Sequence, residues 1–348
     1  MRALVTGASG IVGANLVREL LARSWSVRAL VRPGPPRRAL GGLPVETVSG
    51  DVLDPASIRT AAADTDIVFH CAARFSYASA TGDEFQRTAV DGTRNVISAA
   101  AAAGVSRVVL TSSSVIFGSS HSAVARNEES GFTADDASAY AVSKFRQSAA
   151  AFSTAAKLGI DIVAACPTLT VGAWDYGLSE SNAIIVKYLN DPFRTTFAGG
   201  CNVVSARDIA KGHLLLAERG VSGRSYILGS GNLAWRELHG LVSALCGTTG
   251  PLLSASHTSA YLTAAWSELM SRGTGLPPLL TRDEVRMMGQ WYWYDDSRAR
   301  ALGYAPESTQ LALQDAITWL MRTEHIRPDV RAFLRIPTAP PHPSTLLV

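Results

Sequence analysis

The chain has 348 residues, 47% of them hydrophobic and 18% charged, with a formal net charge of +3. Its 32 basic residues are 28 arginines and only four lysines (144, 157, 187 and 211), interspersed with 29 acidic residues. That length holds a sizeable core, and the mixed surface excludes a polybasic arm and offers no electrostatic reason for nucleic acid or an anionic membrane as partner.

In chain order, short apolar runs ending in Gly, Thr or Ser read as buried strands over residues 3–6, 26–31, 67–70, 108–111 and 160–167. Longer helical patterns lie between them, over 11–23, 55–63, 84–103 and 139–157. Strict alternation of strand and helix predicts an α/β chain built on a doubly wound parallel sheet. Beyond Pro167 the pattern loosens. A helical stretch near 183–189 follows, then strand-like 202–204 and 225–228 bracketing a helix over 206–219. Residues 232–325 read mostly helical, with an aromatic strand-like run over 291–294, and the proline-rich tail from Ile336 reads as extended or disordered. The expected organisation is a Rossmann domain over 1–166, to which 201–229 return. A smaller, mostly helical substrate region spans 167–200 and 230–335.

The four cysteines (71, 166, 201 and 246) are dispersed, with no C-x-x-C pair. Neither a metal site nor a disulfide framework is expected, and a reducing cytoplasmic setting follows. No apolar run reaches the length that spans a bilayer. With a structural motif already starting at Ala3, no leader peptide is expected.

Gly7, Gly10 and Gly13 stand at G-x-x-G-x-x-G spacing, after a buried strand and at the opening of an amphipathic helix. There glycines permit a tight turn and close backbone approach, and helix-terminal N–H groups face a pyrophosphate. Ser9, Ile11 and Val12 belong to the same cradle. At the end of the second strand, where an acidic residue would bond the ribose hydroxyls of NAD, this chain has Arg32, with Arg37 and Arg38 close behind. A guanidinium forks onto a 2′-phosphate, so NADP(H) is preferred over NAD(H). Asp51 and Val52, after the third strand-like stretch, are placed at the adenine edge, although Asp51 also suits a helix-leading acid.

Tyr140 and Lys144 are four apart on an expected helix and project from one face. Ser113 lies 27 residues before Tyr140, at the end of an apolar strand, where doubly wound sheets bind ligands. A phenol with a pKa of about 10 is a poor acid or base at neutral pH. A neighbouring ammonium and an oxidised nicotinamide favour its phenolate. The serine can orient the same substrate oxygen.

With these residues in order, the chain resembles the extended short-chain dehydrogenase/reductases: TGASGIVG, GDVLD, VFHCAA, LTSSSVIFG, YAVSK and PTLTVG follow in sequence. Within that superfamily it is similar to dihydroflavonol 4-reductase-like and hopanoid-associated sugar epimerase-like members. The resemblance implies that His70, Ala72 and Ala73 pass under the cofactor and that Pro167, Thr168 and Leu169 meet its nicotinamide end. It also implies a homodimer formed through helices 84–103 and 139–157. Two positions depart from the pattern. Ala89 stands where many relatives have Asn before V-x-G-T, and Asn95 points elsewhere on an ideal helix. Cys166 stands where many nucleotide-sugar enzymes have Arg.

The implied activity is reduction of a ketone on a small apolar or aromatic molecule, with Ser113, Tyr140 and Lys144 as the catalytic set. Phe75, Ser114, Trp174 and Tyr176 are the substrate-facing candidates. A nucleotide-sugar epimerase or dehydratase with retained NAD is one rival. A non-catalytic cofactor-binding scaffold is the other.

Overall fold

A computed structural model describes residues 1–33, 38–72, 87–133, 137–275, 278 and 280–335. Arg37, Ala73, Phe75, residues 84–86 and the tail from Ile336 lie outside the described residues. Seven parallel strands form the central sheet. The first six are β1 (Arg2–Thr6), β2 (Ser26–Val31), β3 (Glu46–Ser49), β4 (Ile67–His70), β5 (Arg107–Thr111) and β6 (Ile162–Pro167). Their helices are α1 (Ile11–Ala22), α2 (Pro55–Ala62), α3 (Gly92–Ala102) and α4 (Ala139–Leu158).

Beyond β6 come β7 (Leu169–Val171), α5 (Glu180–Asn190), β8 (Thr195–Phe197), β9 (Gly200–Ser205) and α6 (Ala206–Arg219). Next are β10 (Ser225–Leu228), β11 (Gly231–Ala234), α7 (Trp235–Leu245), β12 (Leu253–Ala255) and α8 (His257–Thr274). The last are α9 (Arg282–Met287), β13 (Trp291–Tyr292), α10 (Ser297–Arg300), α11 (Thr309–Leu320) and α12 (Pro328–Arg331). The central sheet runs β10-β6-β5-β4-β1-β2-β3.

The inner strands are apolar on both faces because helices cover both sides, whereas β3 is a polar, largely exposed edge strand. Ala3, Val5, Ile67, Phe69, Val109, Val163 and Ala165 point into one core layer, against α1 and α6. The alternate residues Leu4, Val68, Val108, Leu110, Ile162, Ala164 and Cys166 point into the other, against α2, α3 and α4. The period of two along each strand thus builds two cores from one sheet.

Within residues 201–229, α6 and β10 join the central layer, whereas β9 pairs with β7, β11 and β13 in a second sheet. The strand-like readings over 202–204 and 291–294 fall on β9 and β13 of this sheet, whereas β7 and β11 were not read as strands. β7 has three residues and β11 four, the latter opening on a glycine, so neither carries a readable period. Among the described residues, the third expected helix comprises a π-helical turn over Arg87–Asp91 that leads into α3.

Candidate active site

The sheet delivers the carboxyl ends of β1, β4, β5 and β6 to one edge, and the expected residues gather there. Gly7 is forced by the protein's own packing: its φ is +68°, and an added Cβ would lie 2.6 Å from the Ala72 nitrogen. Gly13 lets α1 close onto the turn, since a Cβ there would sit 2.3 Å from the Gly7 carbonyl oxygen. Gly10 differs. An added Cβ would meet only that same oxygen, at an ordinary 3.5 Å, and the residue is exposed.

Gly10 is the N-cap of α1, yet no side chain caps the helix and no acid lies in its first turn. The free N–H groups above a bare glycine form a cradle for an anion. A nicotinamide dinucleotide fits this turn. Gly7, Gly10 and Gly13 would hold its pyrophosphate, with Ser9, Ile11 and Val12 around them.

Arg32 is exposed just past the end of β2, and Arg38 is exposed beyond it. Asp51 is half-buried and accepts a hydrogen bond from the Leu53 N–H (2.9 Å), while Asp54 caps α2. Val52 is buried, and its side chain fills the space beside Gly92. Asn95 donates to the Val52 carbonyl (3.0 Å) rather than to the Lys144 network.

Ser138 caps α4, its hydroxyl accepting from the Ala141 N–H (3.2 Å), and Gly159 ends the helix in the left-handed conformation. This frame puts Tyr140 in the first turn and Lys144 one turn later. Ser113 caps a short 3-10 turn, Ser114–Phe117, directly after β5. The Ser113 hydroxyl hydrogen-bonds the Tyr140 phenol, so the three catalytic candidates are brought together. Burial pushes the half-buried Tyr140 up to about 12 and the buried Lys144 down to about 8.

Desolvation is the larger effect on Tyr140, opposed chiefly by the Ser113 hydrogen bond. The Lys144 Nζ donates to the Thr111 carbonyl (3.1 Å) and to Gln147 Oε1 (2.9 Å).

From Gln147 a chain of buried hydrogen bonds continues. Its Nε2 donates to Thr93 Oγ1 (3.0 Å), and Thr93 Oγ1 meets His70 Nε2 (3.0 Å). His70 Nδ1 meets Thr6 Oγ1 (2.8 Å), which accepts from the Ala72 N–H (3.2 Å). Burial, aided by the nearby Lys144 charge, pushes His70 down to about 3, so the ring is neutral at physiological pH. His70 and Ala72 therefore build the wall beneath the turn. A second buried histidine, His213, donates from Nδ1 to the Ile209 carbonyl and accepts at Nε2 from the Thr111 hydroxyl (both 2.8 Å). Gln147 and Thr93 were missed in the sequence. The spacing of three between Lys144 and Gln147 on one helix face was a usable signal for the first; nothing local marks the second.

Other expected positions serve elsewhere. The Ser114 hydroxyl engages the Tyr294 phenol, which donates to the Gly118 carbonyl (2.9 Å). Trp174 and Tyr176 are packed on Trp319 of α11, with the Arg18 guanidinium 3.6 Å over the Trp174 ring. Trp174 is buried there, so its aromatic surface is already used in packing. Pro167 ends β6. Thr168 donates its hydroxyl to Asn202 Oδ1 (2.8 Å), tying the central sheet to the second one, and Leu169 opens β7 within that sheet.

A parallel doubly wound sheet with a glycine turn after its first strand and a Ser-Tyr-Lys set at its carboxyl edge defines an extended short-chain dehydrogenase/reductase. A profile of the NAD dependent epimerase/dehydratase family matches residues 3–229, and the chain belongs to that family, whose members use NAD(P). A putative dihydroflavonol 4-reductase of Synechocystis sp. is 33% identical, over 93% of this chain and 95% of its own length. A 4-hydroxy-2-methyl-3-oxo-4-farnesyl-3,4-dihydroquinoline-1-oxide ketoreductase of Stigmatella aurantiaca is 30% identical, over 91% and 96%. The solved structure of gox2253 is 30% identical and superposes with a TM-score of 0.82, covering 93% of this chain and 99% of its own. Among the described residues, no helix is long and apolar enough to cross a membrane, and no group of three or more His, Cys, Asp or Glu could hold a metal ion.

Proposed function

We propose that the protein is an NADPH-dependent reductase that turns a ketone on a small apolar or aromatic molecule into an alcohol, and runs the reverse oxidation. The observation that carries this reading is the meeting of Ser113, Tyr140 and buried Lys144 at the carboxyl edge of the sheet. A nicotinamide dinucleotide held by Gly7, Gly10 and Gly13 would supply or accept the hydride. Ser113 donates a hydrogen bond to the carbonyl oxygen and fixes its orientation. Tyr140, kept protonated by burial, passes its proton to that oxygen as the alcohol forms. Lys144 places a positive charge beside the phenolate left behind.

An apolar or aromatic substrate is supported by the names of the two relatives, one specifying a dihydroflavonol and the other a farnesylated dihydroquinoline oxide. Cys166 adds to this: the residue before Pro167 is fully buried in the core layer and offers no charge to a sugar diphosphate. The test is NADPH consumption by the purified protein with aromatic and prenylated ketones. Turnover of at least one is expected. Tightly retained NAD together with conversion of a nucleotide sugar overturns the reading.

The preference for NADPH rests on Arg32. In Arg32→Ser, loss of a charge-assisted contact is expected to raise the Kd for NADPH about tenfold to a hundredfold and to leave NADH nearly unchanged. Fluorescence titration with both nucleotides reads this, and equal losses for the two would remove the preference. The reading also carries a cytoplasmic setting, suited to four free thiols. We further propose a homodimer through α3 and α4, where Phe145 and Leu158 are exposed. Light scattering should return twice the chain mass; the mass of one chain would exclude it.

A further inference from the structure

The third turn of α4 holds an amide with no assigned role. Gln147 is 1% exposed and lies on the same face of α4 as Lys144. Both ends of its side chain are spoken for: Oε1 accepts from Lys144 Nζ (2.9 Å) and Nε2 donates to Thr93 Oγ1 (3.0 Å). An amide can fill these two roles only one way round, with the oxygen toward the ammonium. The position before α3 offers no competing group, because Ala89 has no polar side chain. The chain of contacts then runs through Thr93, His70 and Thr6 to the Ala72 N–H, against which Gly7 packs.

We propose that Gln147 is the positioning residue for Lys144, holding its ammonium on Oε1 and tying it through Thr93 and His70 to the strand end beneath the phosphate-binding turn. That Lys144 acts in catalysis rests on the reductase reading; that Gln147 holds it does not. A buried ammonium with two fixed oxygen acceptors loses one of them if the amide is removed. Its charged form is then less favoured. A carboxylate at the same place favours that form further.

The other titratable groups facing Lys144 do not compete in this range. They are Cys71 at the end of β4, Cys166 on β6, His70 on β4 and Tyr140 on α4 itself. Burial raises Cys71 to about 11, Cys166 to about 12 and Tyr140 to about 12, and lowers His70 to about 3.

With only four lysines in the chain, the titration of Lys144 can be read directly. Protein labelled with carbon-13 at lysine Cε is titrated by NMR, and Lys144 is assigned by the signal lost in Lys144→Met. In the wild type its midpoint is expected near 8. Gln147→Leu should lower that midpoint by about one pH unit, and Gln147→Glu should raise it by about as much. The alkaline limb of kcat should move with it in each case, with little change in KM. If Gln147→Leu fails to fold, the upward shift in Gln147→Glu decides alone. A Lys144 signal that titrates at the wild-type pH in the folded variants overturns the proposal, whatever the activity. Opposite shifts in a protein that reduces no carbonyl compound uphold it and defeat the reductase reading instead.

Discussion

Tyr140→Phe is expected to lower kcat for ketone reduction by about a hundredfold to ten-thousandfold, the usual contribution of a positioned acid–base group. The Kd for NADPH should change little. The substitution removes one oxygen and leaves the ring in place, so α4 and its Ser138 cap are undisturbed. What disappears is the proton donor to the substrate oxygen and the hydrogen-bond partner of Ser113.

The magnitude follows from the state of the phenol. Burial holds Tyr140 near 12, so it is protonated throughout the neutral range and ready to act as an acid. The reverse oxidation needs the phenolate, which becomes available only as that pKa is brought down. A positive charge held close by Lys144 works in that direction once substrate and cofactor exclude water. Reduction should therefore retain activity at neutral pH, whereas alcohol oxidation should gain as pH rises until Lys144 loses its proton. Single-turnover NADPH oxidation and a nucleotide titration measure the two halves of the prediction separately. A near-wild-type rate in Tyr140→Phe would remove the tyrosine from the chemistry.

How much of this was legible in the sequence depends on whether the information is local. The central sheet was readable because each strand is a buried apolar run bounded by helices with their own period. Ser26–Val31, Ile67–His70 and Ala206–Arg219 even have the expected limits. The positions of the three candidate residues were readable because Tyr140 and Lys144 are fixed by helix geometry, and Ser113 by the end of a strand. The partners of Lys144 were not. Thr111 contributes a backbone carbonyl, which leaves no trace in residue identity. Thr93 reaches Gln147 across 54 residues of chain.

The contacts that Trp174 and Ser114 make within the protein were hidden for the same reason. An aromatic or a hydroxyl near a site looks alike in sequence whether it faces the ligand or is committed to Trp319 or Tyr294. The short strands of the second sheet depend on pairing with β9, so their register is set by tertiary contact rather than by their own pattern.

The glycine turn offers the sharpest separation between folding and ligand binding, because two of its glycines are needed for different reasons. Gly7→Ala places a side chain at φ +68° and drives its Cβ to 2.6 Å from backbone at Ala72. The left-handed conformation alone costs about 1–2 kcal/mol and the overpacking about 1–3 kcal/mol more, so the fold itself should be destabilised by roughly 2–5 kcal/mol. Gly10→Ala meets no such obstacle. Its backbone is extended, with φ −81°, and its Cβ would have an ordinary neighbour at 3.5 Å. Stability should fall by less than about 1 kcal/mol, the scale of exchanging glycine for alanine at a helix N-cap.

Yet Gly10→Ala puts a methyl group on the open side of the turn, where a pyrophosphate must approach the α1 N–H groups. Binding of NADPH should weaken about tenfold or more, corresponding to some 1.4 kcal/mol. Thermal melts with and without nucleotide read both effects in one experiment. For Gly7→Ala the melt of the free protein should drop. For Gly10→Ala it should hold while the nucleotide-induced rise shrinks. If Gly10→Ala kept the full nucleotide-induced rise, the phosphates would have to bind away from this turn. The bareness of Gly10, unexplained by any contact within the protein, would then need another cause.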